Sequence, residues 1–155
     1  MKLSEHLSLN EVIKSDTAIR LGIDNEPTGE HLENLILLAK NVFEPIRRDF
    51  GVPIYVSSGY RSKALNKAIN GSKTSEHCLG MAIDIDQDGR SKVTNRMIFD
   101  YIKDNLEFNQ LIWEFSNPEG TPAWVHVSYN KNGNKKQILK ASKVNGKTVY
   151  SKWEQ

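Results

Sequence analysis

At 155 residues the chain is the size of one compact domain, long enough to bury a core without disulfides, and a single domain over residues 1–155 is expected. Its 38% hydrophobic and 26% charged content is ordinary for a globular protein, and at a net charge of +2, with Lys and Arg scattered, no nucleic-acid partner is expected. Cys78 is the only cysteine, which excludes an internal disulfide framework. No apolar run approaches the ~20 residues that cross a bilayer, so membrane insertion is not expected either. Met1-Lys2-Leu3-Ser4-Glu5-His6 carries charge with no apolar stretch behind it, so no secretory signal is read there.

In chain order, Ser8-Leu9-Asn10-Glu11 has capping-box spacing and starts a short helix. Residues 15–27 show no sustained period, carry Gly22 and Asp24-Asn25, and read as a surface connection. From Thr28 onward Leu32, Leu35, Ile36, Ala39, Val42, Phe43, Ile46 and Phe50 recur at helical spacing. This is a long core helix, kinked near Pro45 and ended by Gly51. Residues 53–58 form a short β-rich run leading into Gly59-Tyr60-Arg61-Ser62, where Ser62 caps a helix that stops at Asn70-Gly71. Asp86-Gln87-Asp88-Gly89 is a turn, and Val93, Met97, Ile98, Tyr101, Ile102 and Leu106 mark a second amphipathic helix. Two strand-like runs follow, 111–115 and 124–129. Asn145-Gly146 between β-compatible runs then predicts a C-terminal hairpin over about residues 130–155. Seven lysines and no acidic residue lie between Lys131 and Lys152, a pattern read as a solvated hairpin face.

Chemistry concentrates in Ser75-Glu76-His77-Cys78-Leu79-Gly80-Met81-Ala82-Ile83-Asp84, where an imidazole and a carboxylate stand seven residues apart. Both are good Zn²⁺ ligands, and a catalytic zinc takes three protein ligands with the fourth position left for water. The third is sought among His6, His31 and His126. His6 and His31 lie in polar helix-start contexts. In Trp124-Val125-His126-Val127-Ser128-Tyr129 a two-residue period sends Trp124, His126 and Ser128 to one face and the apolar residues to the other. The same period in Ala82-Ile83-Asp84-Ile85-Asp86 separates carboxylates from isoleucines. Two strands of one sheet can thus bury their aliphatic face on helices while His126 and Asp84 share a groove. Cys78 beside His77 has poor geometry for a nucleophile and its base, which disfavours a thiol mechanism.

Ser57-Ser58-Gly59-Tyr60-Arg61-Ser62, then Ser75-Glu76-His77-x-x-Gly80-x-Ala82-x-Asp84, then Trp124-Val125-His126-Val127 together resemble the zinc D-Ala-D-Ala carboxypeptidase and endolysin group of the M15 peptidases, which shares its fold with the hedgehog signalling domain. The shorter phage-encoded members look closest, also in Leu21-Gly22-Ile23-Asp24-Asn25 and Leu111-Ile112-Trp113-Glu114-Phe115. The resemblance runs from about Leu3 to Tyr129. It implies an α+β fold, a small antiparallel sheet with helices on one face, and one Zn²⁺ held by His77, Asp84 and His126. It also implies that Arg61 meets the substrate or the charge on the scissile carbonyl, with Ser75, Tyr60 and Trp124 as further substrate contacts. The expected partner is a peptidoglycan stem peptide, the expected state a monomer, and action on the cell wall follows release or delivery from a phage or prophage context.

The general base departs from the family pattern. Members of that group carry Glu or Asp shortly before the second histidine, often three residues before, and here that position is Ala123. Glu114 lies on the preceding strand-like run; antiparallel pairing with 124–129 brings it to the face of His126, and a strand holds a base more firmly than a loop does. Glu119, in the connecting loop, is the second candidate. One competing motif, Asp84-x-Asp86-x-Asp88-Gly89, matches the start of a calcium loop, but its twelfth position is Asn95, which offers no bidentate carboxylate. The expected activity is therefore zinc-dependent hydrolysis of a peptide bond in peptidoglycan, with a zinc-stabilised, non-catalytic binding module as the alternative.

Overall fold

The computed structural model describes residues 1–155. A small β1–β2 ribbon (Lys2–Ser4, Leu7–Ser8) opens the chain, and Ser8 caps α1 (Leu9–Ile13) in a complete capping box with Glu11. Residues 15–27 are more ordered than their sequence pattern indicates: α2 (Asp16–Leu21) is capped by Ser15 and closed by Gly22 at φ 64°. Its caps are strong, but among its residues only Ala18 is buried, so no apolar period marks it.

The long core helix is α3 (Glu30–Leu38) and α4 (Glu44–Phe50), joined without a break by a π-helical stretch, Ala39–Phe43. Pro45 falls in the first turn of α4, where its missing N–H costs least, and the wider π turn accommodates its ring without breaking the helix. Leu35, Leu38, Ala39, Val42, Phe43 and Ile46 are at most 1% exposed, so the predicted face is the buried one. Each of these side chains larger than alanine contributes about 1.5–3 kcal/mol of burial.

The remaining elements are β3 (Val56–Ser58), α5 (Lys63–Ala68), a 3₁₀ turn (Glu76–Leu79), β4 (Ala82–Ile85), α6 (Asn95–Asn105), β5 (Gln110–Ser116), β6 (Pro122–Ser128), β7 (Gln137–Val144) and β8 (Lys147–Lys152). Six strands form one sheet in the order β3-β4-β6-β5-β7-β8. The α+β architecture matches the sequence reading. One pair differs from it: β5 and β7 run parallel. The chain leaves β6 and re-enters the sheet on the far side of β5, so β7 takes up the direction of β5. Ile83, Ile85, Val125 and Val127 are fully buried in a core shared with the helical layer, and the other face of the same strands is left to form a groove.

The Asp-rich stretch after β4 has a structural role. Asn95, fully buried at the start of α6, donates through its amide to Asp86 (3.1 Å) and accepts from the Gln87 backbone N–H, while Asp88 accepts from the Asn95 backbone N–H at 2.7 Å. The carboxylates are thus engaged in fixing a turn and a helix start.

Candidate metal centre

Local sequence explains how each donor reaches the centre. Ser75 caps the 3₁₀ turn by accepting from the His77 N–H. Gly80 ends the turn at φ 72°, and a side chain there would run into the His31 carbonyl of α3. The turn feeds β4, whose Asp84 lies directly opposite His126 of β6 in register.

His77, Asp84 and His126 offer donor atoms that all lie within 4.8 Å of one another. His77 Nε2 is 3.3 Å and His126 Nδ1 is 3.1 Å from the same Asp84 Oδ1. Each outer nitrogen faces an oxygen. His77 Nδ1 is 2.7 Å from the Gly59 carbonyl, which can only accept, so the proton sits on Nδ1 and Nε2 is free as a donor atom. His126 Nε2 faces Glu76 Oε1 at 3.6 Å, and the other Glu76 oxygen accepts from Asn109 Nδ2 at 2.9 Å. Two imidazole nitrogens and one carboxylate oxygen form a donor set that fits a single zinc ion, with the Gly59 carbonyl bonded behind one ring and the Glu76 carboxylate facing the other.

The charges agree with that arrangement. Burial works against the Asp84 carboxylate, but His77 and His126 outweigh it and hold its pKa well below the usual range. Burial also works against the charged His126 ring, yet the hydrogen bond to Asp84 and the facing Glu76 carboxylate push its pKa up to about 9. In the metal-free protein at neutral pH, His126 therefore carries a proton on Nδ1 where a metal would bind. Glu76 stays ionised against its own burial because the His126 ring 3.6 Å away and the Asn109 amide that donates to it favour its charge.

These residues lie in a groove of about 980 Å³, which Arg61, Ser75, Glu114 and Trp124 also line. Glu114 pairs with Trp124 across β5–β6, one row beyond the Ile112–His126 pair, so it shares the face of the imidazole. It is 7% exposed; burial, then the charge of Asp84, pushes its pKa up to about 7. Arg61 donates to the Ser75 hydroxyl at 3.2 Å, and its buried Nε has no partner.

Other predicted contacts lie elsewhere. Tyr60 does not line the groove: it is 7% exposed in the core, with its hydroxyl 3.5 Å from His31 Nδ1. Its sequence position next to Arg61 misleads because successive residues of an extended segment face opposite ways. Trp113, beside Glu114 on β5 and on the opposite face, packs in the core edge-on to Phe99. Glu119 is exposed in the β5–β6 turn, outside the groove. Burial pushes the Cys78 thiol up, away from thiolate chemistry.

Three residues of the site were not picked out from the sequence. Glu76 could be found only once the 3₁₀ turn placed it behind His126. Asn109, which follows α6, holds Glu76. Asn25 is buried; it donates to the Ile13 and Tyr60 carbonyls and accepts from the Ser62 N–H, which fixes the loop carrying Arg61. The only sequence signal for it was its place in Leu21-Gly22-Ile23-Asp24-Asn25.

An α+β sheet presents two imidazoles and a carboxylate to a groove, beside a buried glutamate and an arginine, and so forms a candidate metal site. The chain belongs to the peptidase M15 family, whose model matches residues 5–117. The match covers Arg61, His77, Asp84 and Glu114 and ends before His126. A comparison with curated proteins found no match. Family membership makes the chain a peptidase, with a peptide as its substrate.

Proposed function

We propose that this peptidase is zinc-dependent and hydrolyses a peptide bond in peptidoglycan stem peptides. The observation that carries the reading is the convergence, in one groove, of the His77–Asp84–His126 donor set with Glu114, whose pKa near 7 suits proton transfer at neutral pH.

A zinc ion held by His77, Asp84 and His126 would supply a Lewis acid and lower the pKa of water towards neutrality. Glu114 takes the proton from the attacking water and returns it to the leaving amine. Its place on a strand in mid-sheet keeps the carboxylate aimed at the reacting atoms, and its burial keeps the group proton-accepting and proton-donating within the same pH range. Arg61, with an unpaired guanidinium N–H, meets the negative charge that develops on the scissile carbonyl oxygen. Glu76 and Gly59 orient the two imidazoles. Trp124 offers an aromatic wall to the peptide.

Mass spectrometry of defined muropeptides incubated with the zinc-loaded protein tests bond choice and activity together, with Glu114→Gln as control. Release of D-alanine or of a stem fragment by the wild type alone supports the reading. Intact muropeptides in the presence of stoichiometric zinc would sink it and leave a zinc-stabilised binding module.

A further inference from the structure

One wall of the groove is the β7–β8 hairpin, which lies beyond the residues matched by the family. It is firmly attached. β7 pairs with β5 from Gln110↔Gln137 to Glu114↔Ala141, and Trp153, just past β8, packs on Phe99 and Trp113 with ring centroids 5.1 and 6.2 Å away. The register carries Ala141 and Tyr150 into the row of Glu114, and Lys143 with Thr148 into the next row. Alanine at position 141, fully buried, leaves space for the Tyr150 ring on the groove side. Burial, then the charges of Glu114 and Asp84, raises the pKa of the Tyr150 phenol, as expected of a hydroxyl that shares their groove.

Lys143 Nζ donates to Thr148 Oγ1 at 3.1 Å and lies 5.6 Å from the centre of the Phe115 ring. Phe115 has φ 51°, which breaks the strand alternation and turns its ring towards Trp124 on the Glu114 side. Arg61 and Lys143 are the two cations that line the groove, and neither is ion-paired. Between them the floor carries the His77–Asp84–His126 set with Glu76 and Glu114.

We propose that Lys143, Thr148 and Tyr150 form a carboxylate-binding subsite across the groove from Arg61, and that it selects acidic peptides with a free carboxylate one or two residues from the bond that is cut. This rests on the peptidase reading. Lys143 stands two residues along β7 from the partner of Glu114, about 7 Å, which is close to the two-residue repeat of an extended peptide. The ammonium supplies charge and the two hydroxyls supply neutral donors, a combination that favours a carboxylate over an amide, whose oxygen accepts the same hydrogen bonds without the ion pairing.

The test uses the full chain loaded with zinc and two C-terminally amidated stem tetrapeptides that differ only in whether the second residue bears a free carboxylate or a carboxamide. Binding is followed by calorimetry and cleavage by mass spectrometry in the same samples, for wild type, Lys143→Met and Lys143→Arg. The acidic peptide is expected to bind wild type about five-fold more tightly, the scale of a partly exposed charge-assisted bond. Lys143→Met loses that preference through the acidic peptide alone, and Lys143→Arg keeps most of it. Equal binding of both peptides by wild type, or equal weakening of both by Lys143→Met, overturns the subsite. Acid-selective binding without cleavage upholds the subsite and sinks the proposed hydrolysis of stem peptides; cleavage without selectivity does the reverse.

Discussion

Two places in the molecule gather histidine and carboxylates closely enough to hold a cation: Glu5, His6 and Glu44 in one, and His77, Asp84 and His126 in the other. In the first, the donor atoms are already used. Glu44, with its side chain 2% exposed, accepts from the His6 backbone N–H at 2.6 Å and from His6 Nδ1 at 2.9 Å, while Glu5 is exposed and only approaches the ring. The result is a bond that pins the β1–β2 ribbon to the start of α4. In the second, the Gly59 carbonyl and Glu76 engage the outer side of each ring, and the inner nitrogens converge on Asp84 beside a groove. Closeness of metal-binding residue types is thus weak evidence by itself. What distinguishes a site is where the outer hydrogen bonds leave the free donor atoms pointing.

The comparison is broken most directly by counting metal. Wild type and His6→Ala should each retain one zinc per chain after dialysis, measured by elemental analysis, whereas His77→Ala and His126→Ala should retain none. Two zinc ions in wild type, or a loss in His6→Ala, would overturn the distinction. The next largest effect separates the two buried glutamates. Glu114→Gln should lower kcat about 10²–10⁴-fold with zinc retained, while Glu44→Gln should leave kcat within a factor of two or so of wild type in a muropeptide assay below its melting temperature.

Much of the groove was legible because strands keep strict alternation. Val125 and Val127 against His126, and Ile83 and Ile85 against Asp84, separate into core and groove as a period of two requires. The long helix was equally plain from its apolar face. Short elements were less so: α2 has caps but almost no buried face, and nothing local to β7 announces that it runs parallel to β5. Nor could local pattern find Glu76, whose position behind His126 depends on a contact 50 residues along the chain. The lysine-rich hairpin was read as a solvated face; most of its lysines are exposed, yet Lys143 also lines the groove, a consequence of where β8 folds back.

A smaller effect tests the outer partners. Glu76→Gln should weaken zinc binding about 10–100-fold in competition with a chromophoric chelator while the protein stays folded; unchanged affinity would reduce Glu76 to a packing role. The pH dependence carries the same information. Zinc must displace the His126 Nδ1 proton, so its apparent affinity should climb as pH rises towards about 9. Linkage fixes the sign for the metal-free fold. The raised pKa of His126 adds stability that is complete below its unfolded value near 6.5 and disappears as pH rises through about 9. Glu114, also raised, adds stability that is complete below its unfolded value near 4.5 and is lost as pH rises through about 7. The metal-free melting temperature should therefore fall across this range, and zinc should flatten the slope.

The smallest effect belongs to the other cluster and is purely structural. Burial raises the Glu44 pKa, but the hydrogen bonds from the His6 ring and backbone outweigh it, so the folded pKa is lowered. Its stabilisation is accordingly present above the unfolded value near 4.5 and is lost as pH falls through the folded one. Glu44→Gln should cost about 1–3 kcal/mol in denaturant unfolding at neutral pH, the range for breaking a buried hydrogen-bonded pair. That loss should be the same with zinc and with chelator, because a cluster whose donors satisfy one another has no linkage to a metal bound elsewhere. A loss that depends on zinc would mean that the ribbon anchored by His6 and Glu44 is coupled to the metal centre.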